Sequence, residues 1–157
     1  ENNKIFFKGE NMSITLNGIA QGYITDKVTE ILANFGITKT LVNMGEYRAL
    51  GSKNNGENWK IGVVNPDQTW SISKIIPIQN MSVATSGAYG HFFDRNINAH
   101  HIFNPKSGKN DNFYKSVTVK AKTATIADGL STTLFATNKK FHKQIINNFQ
   151  NIEVIYI

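Results

Sequence analysis

The feature that most limits how this chain can fold is a series of short β-like runs cut by turn clusters. Runs at 40–44 (TLVNM), 47–50 (YRAL), 59–64 (WKIGVV), 71–78 and 81–85 follow one another closely, parted by clusters such as "SKNNGEN" and "NPDQ". Such spacing joins antiparallel neighbours, since a parallel pair needs a crossover of about a dozen residues or more. Residues 4–8 (KIFFK) and 12–16 (MSITL) read as a hairpin turning at Gly9-Glu10-Asn11. A strand at 100–103 precedes the turn "NPKSGKN", residues 116–121 (SVTVKA) alternate as a strand, and "IEVIYI" closes the chain.

Three stretches break the two-residue period. From Ile19, the residues Ile19, Tyr23, Ile24, Val28, Ile31, Leu32 and Phe35 fall on one helical face, and Gly36 is the stop. In "TATIADGLSTTLF", 123–135, Ile126, Leu130 and Leu134 form an apolar stripe. A further helix is expected near 140–149. Strands outnumber helices, so the expected fold is α+β, a largely antiparallel sheet with helices packed on one side. The 157 residues suffice for one domain with a real core, and no repeat, linker or low-complexity segment divides them.

Composition narrows the function. The hydrophobic fraction is 40% and the charged fraction 18%, which is globular. A net charge of +6 favours anionic ligands. The lysines are scattered and no basic stripe interleaves with aromatics, which argues against nucleic acid. With no cysteine, disulfides, thiolate metal sites and cysteine nucleophiles are excluded. No apolar run approaches the length that spans a bilayer. The chain starts at Glu1 without a visible signal peptide and reads as a mature form or a fragment.

Five polar features interrupt this plan. Asp128 and Thr132 lie four apart and share a helix face. They are either the solvated side of an amphipathic helix, the commoner arrangement, or two oxygen ligands for a hard cation. "LNGIAQGY", 16–23, carries a strand through Gly18 into a helix start, whose free N–H groups suit an anion. "VATSGAYGHFF", 83–93, ends an apolar strand at Thr85, Ser86 and Gly87, whose hydroxyls and N–H groups suit phosphate or a ring edge. In "HHIFNPKSGK", 100–109, His100 and His101 point to opposite faces of a strand, so they cannot chelate one metal together. One of them is expected to face inward, and an inward histidine beside a turn with Lys106 suits proton transfer or a ligand contact. "VNMGEYRALG", 42–51, leads an apolar strand to Gly45 and Glu46. Taken singly, each of the last four also reads as an ordinary turn or a satisfied histidine.

Their order in one chain is more specific. "LNGIAQGYITDKV", "LVNMGEYRALG", "WKIGVVNP", "VATSGAYGHFF", "HIFNPKSGK", "SVTV" and "ADGLSTTLF" resemble the run of motifs in the FAD:protein FMN transferases, the ApbE family. The resemblance runs from about Ile14 to Ala136, and "GIAQGY" is similar to the branch linked with nitrous oxide reductase maturation. It implies Mg²⁺-dependent transfer of FMN from FAD to a Ser or Thr hydroxyl of a target flavoprotein, with release of AMP. It also allows FAD hydrolysis, or flavin binding without catalysis. By motif, Asp128, Thr132 and the carbonyl of Gly18 match the magnesium ligands, and His101 matches a proton-transfer position. Gln21, Met44, Gly45, Glu46, Thr85, Ser86, Gly87, His101 and Pro105 match positions that contact FAD. Gln21 stands where many members have Lys, Asn104 where Asp is usual, and Gly129 where Ala is commoner. Family members are about twice this length, so the N-terminal part of the family fold is expected to be absent. The resemblance also implies a periplasmic or outer-face, membrane-anchored setting.

Overall fold

A computed structural model describes residues 4–89, 92–94, 99–104, 107–110 and 113–157. Helix α1 (Ala20–Asn34) is followed by strands β1 (Thr40–Asn43) and β2 (Tyr47–Leu50). Next come the long hairpin β3 (Trp59–Asn65) and β4 (Gln68–Ile78), then β5 (Ser82–Gly87). Two short strands, β6 (Phe92–Asp94) and β7 (Ala99–His100), precede β8 (Ser116–Ala121). Helix α2 (Ala124–Ala136), a short 3-10 turn, α3 (His142–Ile146) and β9 (Glu153–Tyr156) complete the order.

The main sheet runs β1-β2-β5-β8-β9, and its pairs are antiparallel. The alternation of side chains across β5 and β8 sends residues to two layers. Ala84, Val117, Val119 and Ala121 pack with Ala127, Leu130, Leu134 and Phe135 of α2. Val83, one residue along, instead joins Ala49 of β2 and Ile61, Val63, Ile76 and Ile78 of the β3–β4 hairpin. The sheet is therefore covered by α2 on one face and by the hairpin on the other, which explains why β8 is buried along nearly its whole length. Helix α1 packs on α2 and also touches β1 and β2.

Three expectations need correction. Residues 4–8 and 12–16 form no strands, although Asn11 at φ 59 does make the turn between them. Both runs are exposed, so the apolar alternation that would pin a register has no buried face to act on. The strand at 100–103 shrinks to its first position in β7, and the helix near 140–149 to a 3-10 turn followed by α3. Beyond these, α1 turns its polar face inward. Gly22, Thr25, Asp26 and Thr29 are buried, whereas Ile19, Tyr23, Ile24, Ile31 and Phe35 are exposed. Only Val28 and Leu32 of the expected stripe are half-buried. The reason is a close helix crossing: a Cβ on Gly22 would stand 2.4 Å from the Ala124 carbonyl oxygen. Thr25 and Thr29 satisfy their hydroxyls on carbonyls one turn back, Gln21 at 2.8 Å and Thr25 at 2.6 Å, so their burial strands no donor.

Candidate active site

Helix α2 is not solvated where Asp128 sits. Asp128 is 5% exposed, and its Oδ2 accepts the backbone N–H of Gly22 at 2.9 Å. Burial holds its carboxyl above the usual carboxylate range, and the Gly22 bond draws it partly back. In a helix continued backward, the Gly22 amide would turn to the Gly18 carbonyl; here it goes to Asp128 instead.

One turn further, Thr132 meets β5. Its Oγ1 lies 3.0 Å from Ser86 Oγ, which lies 2.8 Å from Ser131 Oγ, and Ser131 donates to the Asp128 carbonyl at 3.0 Å. The backbone of Gly18 stands against the same threonine: a Cβ there would fall 3.1 Å from Thr132 Cγ2 and 3.8 Å from its Oγ1. The structure thus sets Gly18 against Thr132, with Asp128 one helical turn earlier on the Gly22 amide. Their donors are a carbonyl, a carboxylate and a hydroxyl, all hard oxygens, which suits Mg²⁺ over a soft metal. Among the described residues no cluster of three His, Cys, Asp or Glu side chains could hold a metal, so a cation here needs water and substrate oxygens as well. An open groove of about 440 Å³ adjoins Thr132, lined in part by Leu16, Gly18, Ile19, Gly129 and Phe149.

Glu46 joins from the turn before β2. It is 7% exposed. Burial pushes its carboxyl up to about 8, the negative charge of Asp128 pushes the same way, and the Thr85 N–H bond opposes both. Gln21 lies over Gly45, where a Cβ would stand 2.9 Å from Gln21 Cδ, and the φ of 110° there favours glycine. Met44 is exposed beside them, its N–H donating to the Glu46 carbonyl at 3.3 Å.

Other predicted positions separate. Ser86 faces α2, but Thr85 leaves the opposite side of β5 and pairs with Thr118 Oγ1 at 2.9 Å. A Cβ on Gly87 would meet the Tyr89 ring at 2.6 Å. His100 is 2% exposed against Phe135, ring centroids 5.7 Å apart, and burial lowers its pKa. His101 is exposed. Pro105 and Lys106 lie outside the described residues. Sequence reasoning missed Gly22, Ser131 and the pairing of buried Asp26 with half-buried Arg48. The stripe Gly22, Thr25, Asp26, Thr29, small and polar at helical spacing, was the signal for a close crossing.

The ApbE family pattern matches residues 1–156. The chain belongs to the ApbE family. It is 30% identical over 156 residues to an FAD:protein FMN transferase of Klebsiella pneumoniae, covering 98% of this chain and 48% of that protein. A Treponema pallidum protein of the same name is 28% identical, with 93% and 44% covered. The crystal structure of an ApbE protein from Thermotoga maritima superposes with a TM-score of 0.80 at 32% identity, covering 92% of this chain and 48% of that one. The flavin transferase ApbE of Vibrio cholerae gives 0.77 at 32% identity, with 92% and 46% covered. The chain spans about half the length of the curated relatives it matches. The α+β fold with its antiparallel sheet is therefore an ApbE fold in part.

Proposed function

We propose that this chain carries the cation-holding part of an FMN transferase, which moves FMN from FAD to a Ser or Thr hydroxyl of a target flavoprotein and releases AMP. What supports the reading is that the start of α1 lies on α2 at both residues, Gly18 against Thr132 and the Gly22 amide on the Asp128 carboxylate, in a chain of the ApbE family. Bound there with the FAD pyrophosphate, Mg²⁺ supplies neutralising charge at the phosphates. Asp128, Thr132 and the Gly18 carbonyl would hold it. Ser86 and Ser131 fix the Thr132 hydroxyl, and Gln21, over Gly45, offers the phosphates hydrogen bonds without a charge. His101 takes the proton of the acceptor hydroxyl as its oxygen bonds to the FMN phosphorus and the P–O bond to AMP breaks. The setting we propose, from the same resemblance, is the periplasm or the outer face of the inner membrane.

The test is to incubate the protein with FAD, Mg²⁺ and a flavoprotein carrying an acceptor site, then weigh the acceptor. A mass gain of one FMN supports the reading. Free FMN with AMP makes the protein an FAD pyrophosphatase instead, and unchanged FAD leaves a flavin-binding domain. Thermal melts isolate the cation site: the part of the FAD-induced stabilisation that needs Mg²⁺ should vanish in Asp128→Ala. A shift of equal size in both forms would remove Asp128 from cation binding.

A further inference from the structure

The crossing of α1 and α2 exchanges carboxylates in both directions. From α1, Asp26 reaches the start of α2: its Oδ1 accepts the Ala124 N–H at 2.8 Å, and its Oδ2 accepts the Thr125 N–H at 2.9 Å and the Thr125 hydroxyl at 2.6 Å. Arg48 of β2 completes the shell on Oδ1. From α2, Asp128 returns to the start of α1 and takes the Gly22 N–H at 2.9 Å. In each helix the carboxylate lies four residues beyond the amide that the other helix caps, Gly22 to Asp26 and Ala124 to Asp128. Thr123 Oγ1 takes the Ile126 N–H, so three amides of the first turn of α2 are satisfied, two of them by Asp26.

We propose that Asp26 is a positioning residue, which sets the height of α2 against α1 and thereby aims Asp128 and Thr132 at Gly18. A helix held by its own N-cap alone can slide along its neighbour. Here the Asp26 carboxylate ties the first turn of α2 to the middle of α1, and the Asp128 carboxylate ties the first turn of α1 to α2. A slide of either helix would break bonds at both ties. Burial works against the charge on Asp26, but the bonds from Thr125, Ala124 and Arg48 outweigh it and hold the carboxyl below its usual range. The brace is therefore ionised at neutral pH, with Arg48 as its counter-ion.

The consequence for metal and FAD rests on the function proposed above, but the first readout does not. Gly22 lies in the first turn of α1, so its amide protection reports the bond to Asp128. Amide exchange is measured site by site on the full chain without ligand, in wild type, Asp26→Asn and Asp128→Ala. Asp26→Asn should speed exchange at Ala124 and Thr125 and also at Gly22, the last by about tenfold, the scale of a lost cap. Asp128→Ala, which leaves the Gly22 amide no side-chain acceptor, should expose Gly22 and leave Ala124 and Thr125 protected. Should Asp26→Asn fail to fold, Thr125→Val, which removes one arm of the brace, is read the same way. Unchanged exchange at Gly22 beside faster exchange at Ala124 and Thr125 would reduce Asp26 to a local cap and overturn the proposal. A second arm follows the Mg²⁺ concentration that half-saturates FAD-dependent stabilisation, which should rise severalfold in Asp26→Asn. A wild type that ignores Mg²⁺ would sink the metal reading, while the exchange arm still decides for or against Asp26.

Discussion

Glu46 is the residue whose surroundings most oppose its charge. Its carboxyl is moved from 4.5 to about 8, first by burial and then by Asp128. Well below pH 4.5 it is protonated in both folded and unfolded chains and costs nothing. As the pH climbs, the unfolded chain loses the proton first, so folding grows less favourable until the folded carboxyl ionises near 8. Glu46→Gln should therefore raise Tm at about pH 8 and change it little at about pH 4, and each 1 kcal/mol gained is worth roughly 2–4 °C at this size. A melt series across that range checks it; a gain confined to acid pH would contradict the assignment. The two histidines separate by a different measurement. His101→Ala is a surface change, expected within about 0.5 kcal/mol of wild type, yet it should slow flavin transfer by roughly 10²–10⁴-fold if His101 takes the proton. His100→Ala opens the core beside Phe135 and should lower Tm instead. A transfer rate that survives His101→Ala would remove that residue from the reaction.

At the scale of elements, two helical glycines that look alike in sequence should respond with opposite sign. Alanine normally gains about 1 kcal/mol over glycine inside a helix. At Gly22 the added methyl meets the Ala124 carbonyl at 2.4 Å and Asp128 Cβ at 2.7 Å, so α1 must back away from α2. Gly22→Ala should cost about 1–3 kcal/mol, the range of overpacking. At Gly129 the nearest atom is Ile19 Cγ2 at 3.0 Å, on an exposed side chain that can give. Gly129→Ala should stabilise by up to about 1 kcal/mol. Thermal melts of both variants decide. The same contrast marks what sequence could disclose. Strands β1, β2, β3, β5, β8 and β9 were legible because alternation and turns are local. The pair Asp128 and Thr132 was legible because four residues make one helical turn. The inward face of α1 was not, since it was chosen by a crossing with residues 98 to 106 positions away rather than by its apolar content.

At the scale of the whole molecule, the outward face of α1 is unusual for a chain of this charge. Tyr23, Ile24, Ile31 and Phe35 are exposed along it, and Ile5, Phe6 and Phe7 are exposed in the segment before it. Exposed apolar side chains gathered on one helix face promote association. Ile31→Glu with Phe35→Lys, one turn apart, should lower self-association in sedimentation while leaving Tm within about 1 °C of wild type, as for surface changes. A falling Tm would show that the face is packed after all. The reciprocal capping of α1 and α2 also bears on how the chain reaches this structure. Neither helix start finds its carboxylate until the other has arrived, and the partners stand 98 to 106 residues apart. The two helices are thus expected to gain protection in one late kinetic step, after the local hairpin β3–β4, because the long loop between them must close before either bond can form.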